Sequence, residues 1–197
     1  GTAEFQQNIL TAAQITVENT VTYDSKSYVL ESVDSRDKTV TADAANNVVK
    51  VYYAVDVIGP EGPDNIPDKY QREVTYKVDK GGWNDKTGAA AKADVTEVVT
   101  LKTNGELDVN GTAVLNAPAV GSNPDTGYKA GSWAPALPAT FTKTSPVEHT
   151  YTYVKNSYGY TVEYYFDGTK ATTGNFAPKP GTAEFQQNIL TAAQITV

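Results

Sequence analysis

VVKVYYAV, residues 48–55, places Val49, Val51, Tyr53 and Val55 on one side of an extended chain. Residues 72–78 (REVTYKV) alternate in the same way. Because successive side chains of a strand point to opposite faces, this period of two predicts half-buried strands. The same pattern predicts further strands at residues 96–101, 149–154 and 160–166, and a hairpin formed by residues 21–23 and 28–33. The chain is therefore predicted to be all-β or β-rich.

Composition argues against several functional classes. The formal net charge of −7 disfavours nucleic-acid binding, which requires clustered Lys and Arg. No stretch reaches the roughly 20 apolar residues of a membrane-spanning helix. The chain has no Cys, which excludes disulfides and thiolate chemistry, and it has no Met either. The lack of oxidisable sulfur is typical of an extracellular protein, here predicted to belong to a Gram-positive cell wall.

The two ends of the chain carry the same seventeen letters, GTAEFQQNILTAAQITV, at residues 1–17 and 181–197. The offset of 180 residues predicts a parent protein in which a 180-residue unit recurs head to tail. On this hypothesis both ends are cuts within a longer chain. A designed terminal duplication is the alternative.

Breaks in the strand pattern predict the domain organisation. Residues 58–68 (IGPEGPDNIPD) hold three prolines and three carboxylates and are predicted to form a stiff, solvated linker or crossover. Residues 69–155 are predicted to form one β domain, whose turn-rich passage at 110–138 is expected to be irregular. The helix candidates are residues 89–94 and the duplicated residues 5–13, where helical and strand spacing are mixed.

The remaining residues, 1–57 and 156–197, are predicted to be two halves of one further domain. In an uncut array residue 197 would be followed by the equivalent of Glu18, so the halves would be continuous. Each half has too few strands to bury a core of its own. The halves are therefore expected to pair within one chain, as in a circular permutant, or between chains by strand exchange, which would propagate a filament.

Several motifs resemble known surface repeats. The joined order YGYTVEYYFDG (residues 158–168), YVLESV (28–33) and NNVVKVYYAVD (46–56) resembles the MucBP-like β-grasp repeats of Firmicute surface proteins. IPDKYQREVTYKV (66–78), GGWND (81–85) and PDTGYKAGSW (124–133) resemble SHIRT-type stalk domains. These resemblances imply an extracellular, rod-like tandem array with an adhesive role. They imply no specific ligand-binding residue.

Catalytic chemistry has little support in the sequence. His149 is the only histidine, which removes most Ser–His–Asp sites and His-based metal sites. Its position on a Thr/Tyr strand predicts a surface or edge residue. No phosphate-binding glycine loop and no GxSxG elbow occurs. The chain is predicted not to be an enzyme.

The carboxylates of residues 58–68 offer a candidate cation site. Glu61, Asp64 and Asp68 could supply oxygen ligands to calcium and stiffen the linker. Prolines interrupt the trio and the alternating Asp pattern of a calcium loop is missing. A solvated linker without metal is the favoured interpretation.

Two tryptophans are the candidate ligand contacts. Trp83 and Trp133 lie beside glycines in turn-like contexts and could stack on sugars of host mucin or another glycan. Core packing is the favoured alternative, as it is for the tyrosines at alternating strand positions.

A covalent cross-link is a further hypothesis. Lys77 and Asn156, with Glu97 or Glu148 as the catalytic carboxylate, could form an isopeptide bond. The reaction needs a buried Lys whose pKa is lowered so that a neutral amine attacks.

Two functions follow from these observations. The first is a structural or adhesive repeat that forms a stalk or fibre through neighbouring copies. The alternative is a module that binds mucin, another glycan or a host protein.

Overall fold

The computed structural model describes residues 4–13, 15–59 and 61–194. Its strands are β1 Thr20–Tyr23, β2 Lys26–Asp34, β3 Lys50–Val55, β4 Gln71–Asp79, β5 Val95–Thr100, β6 Lys102–Thr103, β7 Glu106–Leu107, β8 Tyr128–Ala134, β9 Glu148–Lys155, β10 Ser157–Val162, β11 Tyr165–Phe166, β12 Thr169–Lys170 and β13 Lys179–Glu184. Two four-residue helices, α1 Ile9–Ala12 and α2 Ile189–Ala192, lie within the duplicated segment. The chain is β-rich, as the alternation predicts.

The chain forms two compact units. The first comprises Gly1–Val74, Thr96–Asn116 and Pro138–Val147, and the second comprises Thr75–Val95, Ala117–Leu137 and Glu148–Val197. These bounds do not follow the predicted division at residues 57, 68 and 155. Residues 69–155 contribute to both units, whereas the two terminal regions belong to different units.

In the first unit, β1, β2 and β3 form an antiparallel sheet in that order. The turn between β1 and β2 contains Asp24 and Ser25 at φ of 49° and 61°, and two consecutive left-handed residues match the right-handed twist of a hairpin. The predicted hairpin is confirmed. Val29 is the one large apolar side chain of this sheet that is buried.

Residues 58–68, predicted to be a solvated linker, are tied to the end of β3. Asp56 is 1 % exposed, and its carboxylate accepts hydrogen bonds from Asp64 N at 3.0 Å and Asn65 N at 2.9 Å. Pro67 is buried. A buried carboxylate requires such donors, so residues 64–65 are held against the end of β3 by hydrogen bonds.

A four-stranded sheet has the order β5-β4-β9-β8. β4 and β9 pair in parallel, from Thr75 opposite Glu148 to Asp79 opposite Thr152. β8 pairs antiparallel with β9. β8 lies inside the passage 110–138 that the sequence analysis expected to be irregular, so that expectation is corrected for residues 128–134.

Buried apolar side chains come almost entirely from residues 71–153. The first unit buries Val74, Val99, Leu101 and Phe141 in addition to Val29, and the second buries Tyr76, Trp83, Ala91, Tyr151 and Tyr153. No large apolar side chain of the described residues 156–194 is buried. The two terminal regions are therefore built of strands without a substantial core.

In the C-terminal region β10 pairs with β13, and β11 pairs with β12. The strand predicted at residues 160–166 is interrupted, because β10 ends at Val162 and β11 begins at Tyr165. Among the described residues, no strand of this region pairs with β1, β2 or β3. The two predicted half-domains are not joined in one sheet within the chain.

The helix predictions are met in part. Residues 88–92 form a 3₁₀ helix where residues 89–94 were predicted to be helical. In residues 5–13, the helix is limited to α1. No helix among the described residues is long and apolar enough to cross a membrane.

Candidate functional site

Within the duplicated segment, residues 5–13 and 185–193 fold into the same local structure. Gln6 and Gln186 both have φ of 64°. The Oδ1 atoms of Asn8 and Asn188 accept hydrogen bonds from backbone N–H groups at the starts of α1 and α2. An Asn in this position satisfies donors that the first helical turn leaves open. Local hydrogen bonding therefore fixes the conformation of the segment independently of its surroundings.

A second local bond is also repeated. The side-chain Oε1 of Gln7 accepts from Glu4 N at 3.1 Å, and that of Gln187 accepts from Glu184 N at 3.0 Å. The turn before each helix is thus closed in the same way in both copies.

The first copy is seated on residues 36–40, which follow β2. Gln6 N donates to Val40 O at 2.9 Å, Val40 N donates to Gln7 O at 2.8 Å, and Ile9 N donates to Lys38 O at 3.0 Å. These bonds hold Ile9 and Leu10 in a half-buried position. We call residues 36–40 the helix seat.

The second copy is held by different residues. Residues 181–184 pair with β10 as part of β13. Phe185 packs edge-on against Tyr128 and Tyr158, with ring-centroid distances of 5.9 and 6.4 Å. The backbone of Asn156 links Gly127 to Phe185, because its N–H donates to Gly127 O and its C=O accepts from Phe185 N, both at 2.8 Å. We call Gly127, Tyr128 and Tyr158 the Phe seat.

Gly127 has no room for a larger side chain. A Cβ there would lie 2.3 Å from the ring of Phe185, and its φ of +87° is one that L-residues rarely adopt. The close approach of this backbone to the ring depends on glycine.

The two copies expose opposite parts of the same sequence. Phe5 is 68 % exposed, whereas Phe185 is half-buried in the Phe seat. Ile189 and Leu190 are 48 % and 42 % exposed, whereas Ile9 and Leu10 are half-buried. Each copy therefore uses only one of two apolar faces.

Each copy also borders a surface concavity. A pocket of about 570 Å³ lies between Leu10, Ile15 and Val17 on one side and Arg36 and Asp37 on the other. A smaller pocket of about 160 Å³ is lined by β10 and residues 183–189. The duplicated segment with its two seats is the candidate interaction site.

The three candidate calcium ligands do not form a cation site. Asp68 Oδ1 accepts from Val57 N and Ile58 N, both at 2.9 Å. Asp64 accepts from Ile66 N at 3.0 Å and from Gln71 Nε2 at 2.7 Å, and Glu61 is exposed. Within the described part of the chain, no group of three or more His, Asp or Glu side chains could hold a metal ion. The two aspartates stabilise the turn through backbone donors.

The residues of the isopeptide hypothesis are not brought together as that chemistry needs. Lys77 Nζ forms an ion pair with Glu148 at 2.7 Å on an accessible part of the surface. The hydrogen bond to Glu148 raises the pKa of Lys77, so the amine stays protonated and is not nucleophilic. Glu97 accepts from Asn116, and Asn156 Oδ1 accepts from Ser157 N. This geometry gives the cross-link no support.

The two tryptophans differ in accessibility. Trp83 is fully buried, its Nε1 donates to Ala93 O at 2.8 Å, and its ring stacks on Trp133 at 6.2 Å. It is a core residue, which is the packing role that the sequence analysis favoured. Trp133 is half-buried and also packs edge-on against Tyr151.

His149 is fully buried, which corrects the predicted surface or edge position. Its ring stacks on Tyr76 at 6.3 Å, and Nδ1 is hydrogen-bonded to Pro135 O at 2.9 Å. The alternation of β9 indicates that His149 is buried, because His149 shares the face of Tyr151 and Tyr153, which are buried too.

An ionic cluster lies on the β11–β12 ribbon. The Glu163 carboxylate accepts hydrogen bonds from Lys170 Nζ and from Tyr165 Oη. The hydrogen bond from Lys170 lowers the pKa of Glu163, and the hydrogen bond to Glu163 raises the pKa of Lys170 and of Tyr165. The cluster ties the two short strands together at the surface.

Comparisons with protein-family models, curated proteins and solved structures found no match to this chain. The resemblance to MucBP-like and SHIRT-type repeats therefore stays a prediction. The site is defined by the geometry of the duplicated segment and its two seats.

Proposed function

We propose that this chain is a structural and adhesive repeat unit of an extracellular bacterial surface protein, and that its copies follow one another to form a stalk or fibre. The observation that carries the proposal is the duplicated segment. The same residues fold the same way at both ends, yet they are held by different parts of the repeat. A segment with two distinct seats is expected where one unit continues into the next.

The parallel pairing of β4 and β9 supports a mechanical role. β4 enters the four-stranded sheet from the N-terminal part of the chain, and β9 leaves this sheet toward the C-terminal part. Because the strands are parallel, tension pulls their outer ends in opposite directions along the ladder. The evenly spaced bonds from Thr75 to Asp79 are then loaded together rather than one after another.

The charge and composition agree with display outside the cell. A net charge of −7 keeps an extended array soluble and self-repelling. The absence of Cys and Met makes the chain insensitive to oxidation of sulfur.

Labelling of intact cells tests the location. Antibodies raised against the folded chain should label unbroken cells of the source organism in patches or fibres that extend from the wall. Label found only after lysis would contradict the proposal.

Single-molecule pulling tests the mechanical role, and the Cys-free sequence allows defined handles. The pair Glu73→Cys and Lys155→Cys applies shear along the β4–β9 ladder, whereas the pair Asp79→Cys and Lys155→Cys opens it from one end. We expect a several-fold higher rupture force for the first pair. Equal forces would contradict a mechanical role for this sheet.

A glycan-binding module is the second candidate. The observation that favours it is an exposed aromatic cluster, in which Phe176 packs edge-on against Tyr164 and Phe166 at 5.4 and 5.2 Å. Exposed aromatic faces are used to stack sugars. Saturable binding on a glycan array that Phe166→Ala abolishes would support this function, and a blank array with folded protein would count against it.

A further inference from the structure

The two faces of the duplicated segment are compatible with simultaneous use. We call Phe5 or Phe185 the Phe face of the segment, and Ile9 and Leu10 or Ile189 and Leu190 its Ile–Leu face. The backbone of residues 5–13 and 185–193 has the same local structure although different faces are exposed, as the φ of 64° at Gln6 and Gln186 illustrates. Occupying one seat therefore requires no conformation that excludes the other. Little conformational entropy remains to be lost on the second contact, since the helix and the turn are already formed.

The unused face of the second copy retains open hydrogen-bond donors. In the first copy Gln6 N and Ile9 N are paired with the helix seat. Among the described residues, the corresponding Gln186 N and Ile189 N have no acceptor. Beside them lie the exposed Ile189 and Leu190. The second copy therefore exposes the same backbone donors that the helix seat binds in the first copy, with the same apolar side chains beside them.

Exposed apolar surface is concentrated in the regions that flank the segment. Of the seventeen large hydrophobic side chains that are exposed in the described chain, thirteen lie within residues 5–57 or 158–190. Exposed apolar side chains are thus more frequent in the regions that carry the helix seat and the Phe seat than in the rest of the described chain.

We infer that the duplicated segment is the joint between successive copies, its Phe face bound by the Phe seat of the preceding copy while its Ile–Leu face is bound by the helix seat of the following copy. The inference rests on the proposed head-to-tail array and names its contact. At the 180-residue period, residues 181–197 are also residues 1–17 of the next copy, so the helix seat follows at the same spacing as in the first copy. The occupant of the free Ile–Leu face is residues 36–40 of a second copy.

The full chain provides its own test, because one copy can be impaired while the other is left intact. In the variant Ile9→Ser/Leu10→Ser the first copy keeps its backbone donors but loses its apolar side chains, so its hold on the helix seat is weakened. The intact second copy of another molecule should then displace it from the seat. Sedimentation velocity over a hundredfold concentration range should show reversible, concentration-dependent association, whereas the unmodified chain with its seat filled should associate at least tenfold more weakly.

The matched control adds Ile189→Ser and Leu190→Ser to the first variant. This four-serine chain should remain monomeric, because the face that binds the helix seat is removed. If it associates as strongly as the two-serine chain, the contact involves another surface or reflects unfolding, and the inference is overturned. A two-serine chain that keeps its strand circular dichroism but stays monomeric at every concentration also overturns it.

Hydrogen exchange identifies the contact. Association of the two-serine chain should slow exchange at Gln186 N and Ile189 N at least tenfold, because these donors would become paired with Val40 O and Lys38 O. Association without this protection contradicts the joint. Failure of these experiments leaves surface labelling of intact cells unaffected, so the joint and the proposed extracellular role are tested separately.

Discussion

The hydroxyl of Tyr153 donates a hydrogen bond to the carbonyl oxygen of Gly82 over 2.9 Å, and both atoms are buried. The same hydroxyl accepts from Gly121 N at 2.8 Å. One side chain of β9 thereby fixes two irregular loops against the sheet. A Cβ at Gly81 would lie 2.4 Å from the ring of Tyr153, so the loop also approaches the ring too closely for any larger residue.

Tyr153→Phe should destabilise the chain by about 1–3 kcal/mol, because it removes the hydrogen bonds of a buried carbonyl and a part-buried N–H. Urea unfolding followed by tryptophan fluorescence measures the change. Tyr23→Phe is the matched control, since Tyr23 is 74 % exposed and should lose no more than about 0.5 kcal/mol. Equal losses in both variants would contradict the role of the Tyr153 hydroxyl.

Trp83→Ala should cost about 3–5 kcal/mol, because a fully buried indole leaves a cavity and an unpaired carbonyl at Ala93. Thermal unfolding should show a large drop in midpoint. Phe166→Ala removes an exposed aromatic ring and should leave the midpoint of thermal unfolding nearly unchanged. A stable Trp83→Ala chain would show that Trp83 is not a core residue.

Phe185→Ala and Phe5→Ala make the same change in the same local sequence. The first should cost about 1–3 kcal/mol, since it removes edge-on contacts with Tyr128 and Tyr158. The second should cost no more than about 0.5 kcal/mol, since Phe5 is largely exposed. Chemical denaturation compares the two. Equal effects would mean that the Phe seat does not distinguish the copies.

Carbon-detected NMR titration of Glu163 should give a midpoint below its ordinary pKa of 4.5. The folded pKa is lowered by the hydrogen bond from Lys170, so the folded chain binds this proton less readily than the unfolded chain. The contribution of the pair to stability is thus present above pH 4.5 and is lost as the pH falls through the folded pKa. Lys170→Gln should move the midpoint upward, and no movement would contradict the assignment.

The intact mass of the purified chain should equal the mass of its sequence, because Lys77 is protonated and paired with Glu148. Isopeptide formation would remove one ammonia or one water. High-resolution mass spectrometry distinguishes the full mass from the reduced mass. A reduced mass that returns to the full value in Lys77→Arg would establish the cross-link.

Strand positions were predictable where the pattern is local. The alternation in β4 gives Val74 and Tyr76 buried and Glu73 exposed, as expected. The sequence pattern did not predict β8, because Gly131 and Ser132 interrupt its apolar alternation. Gly131 is required there by the neighbouring strand, since a Cβ would lie 1.9 Å from Thr152 O, and that distance depends on how β8 meets β9.

The sequence by itself determined the β-rich class, the hairpin of β1 and β2, and the matching local fold of residues 5–13 and 185–193. These features depend on side-chain period and on hydrogen bonds between residues a few positions apart. Only the tertiary structure decided that Phe185 is packed while Phe5 is exposed, and that Leu10 is half-buried while Leu190 is exposed. Identical residues have the same local preferences, but burial depends on which distant backbone and side chains lie beside them.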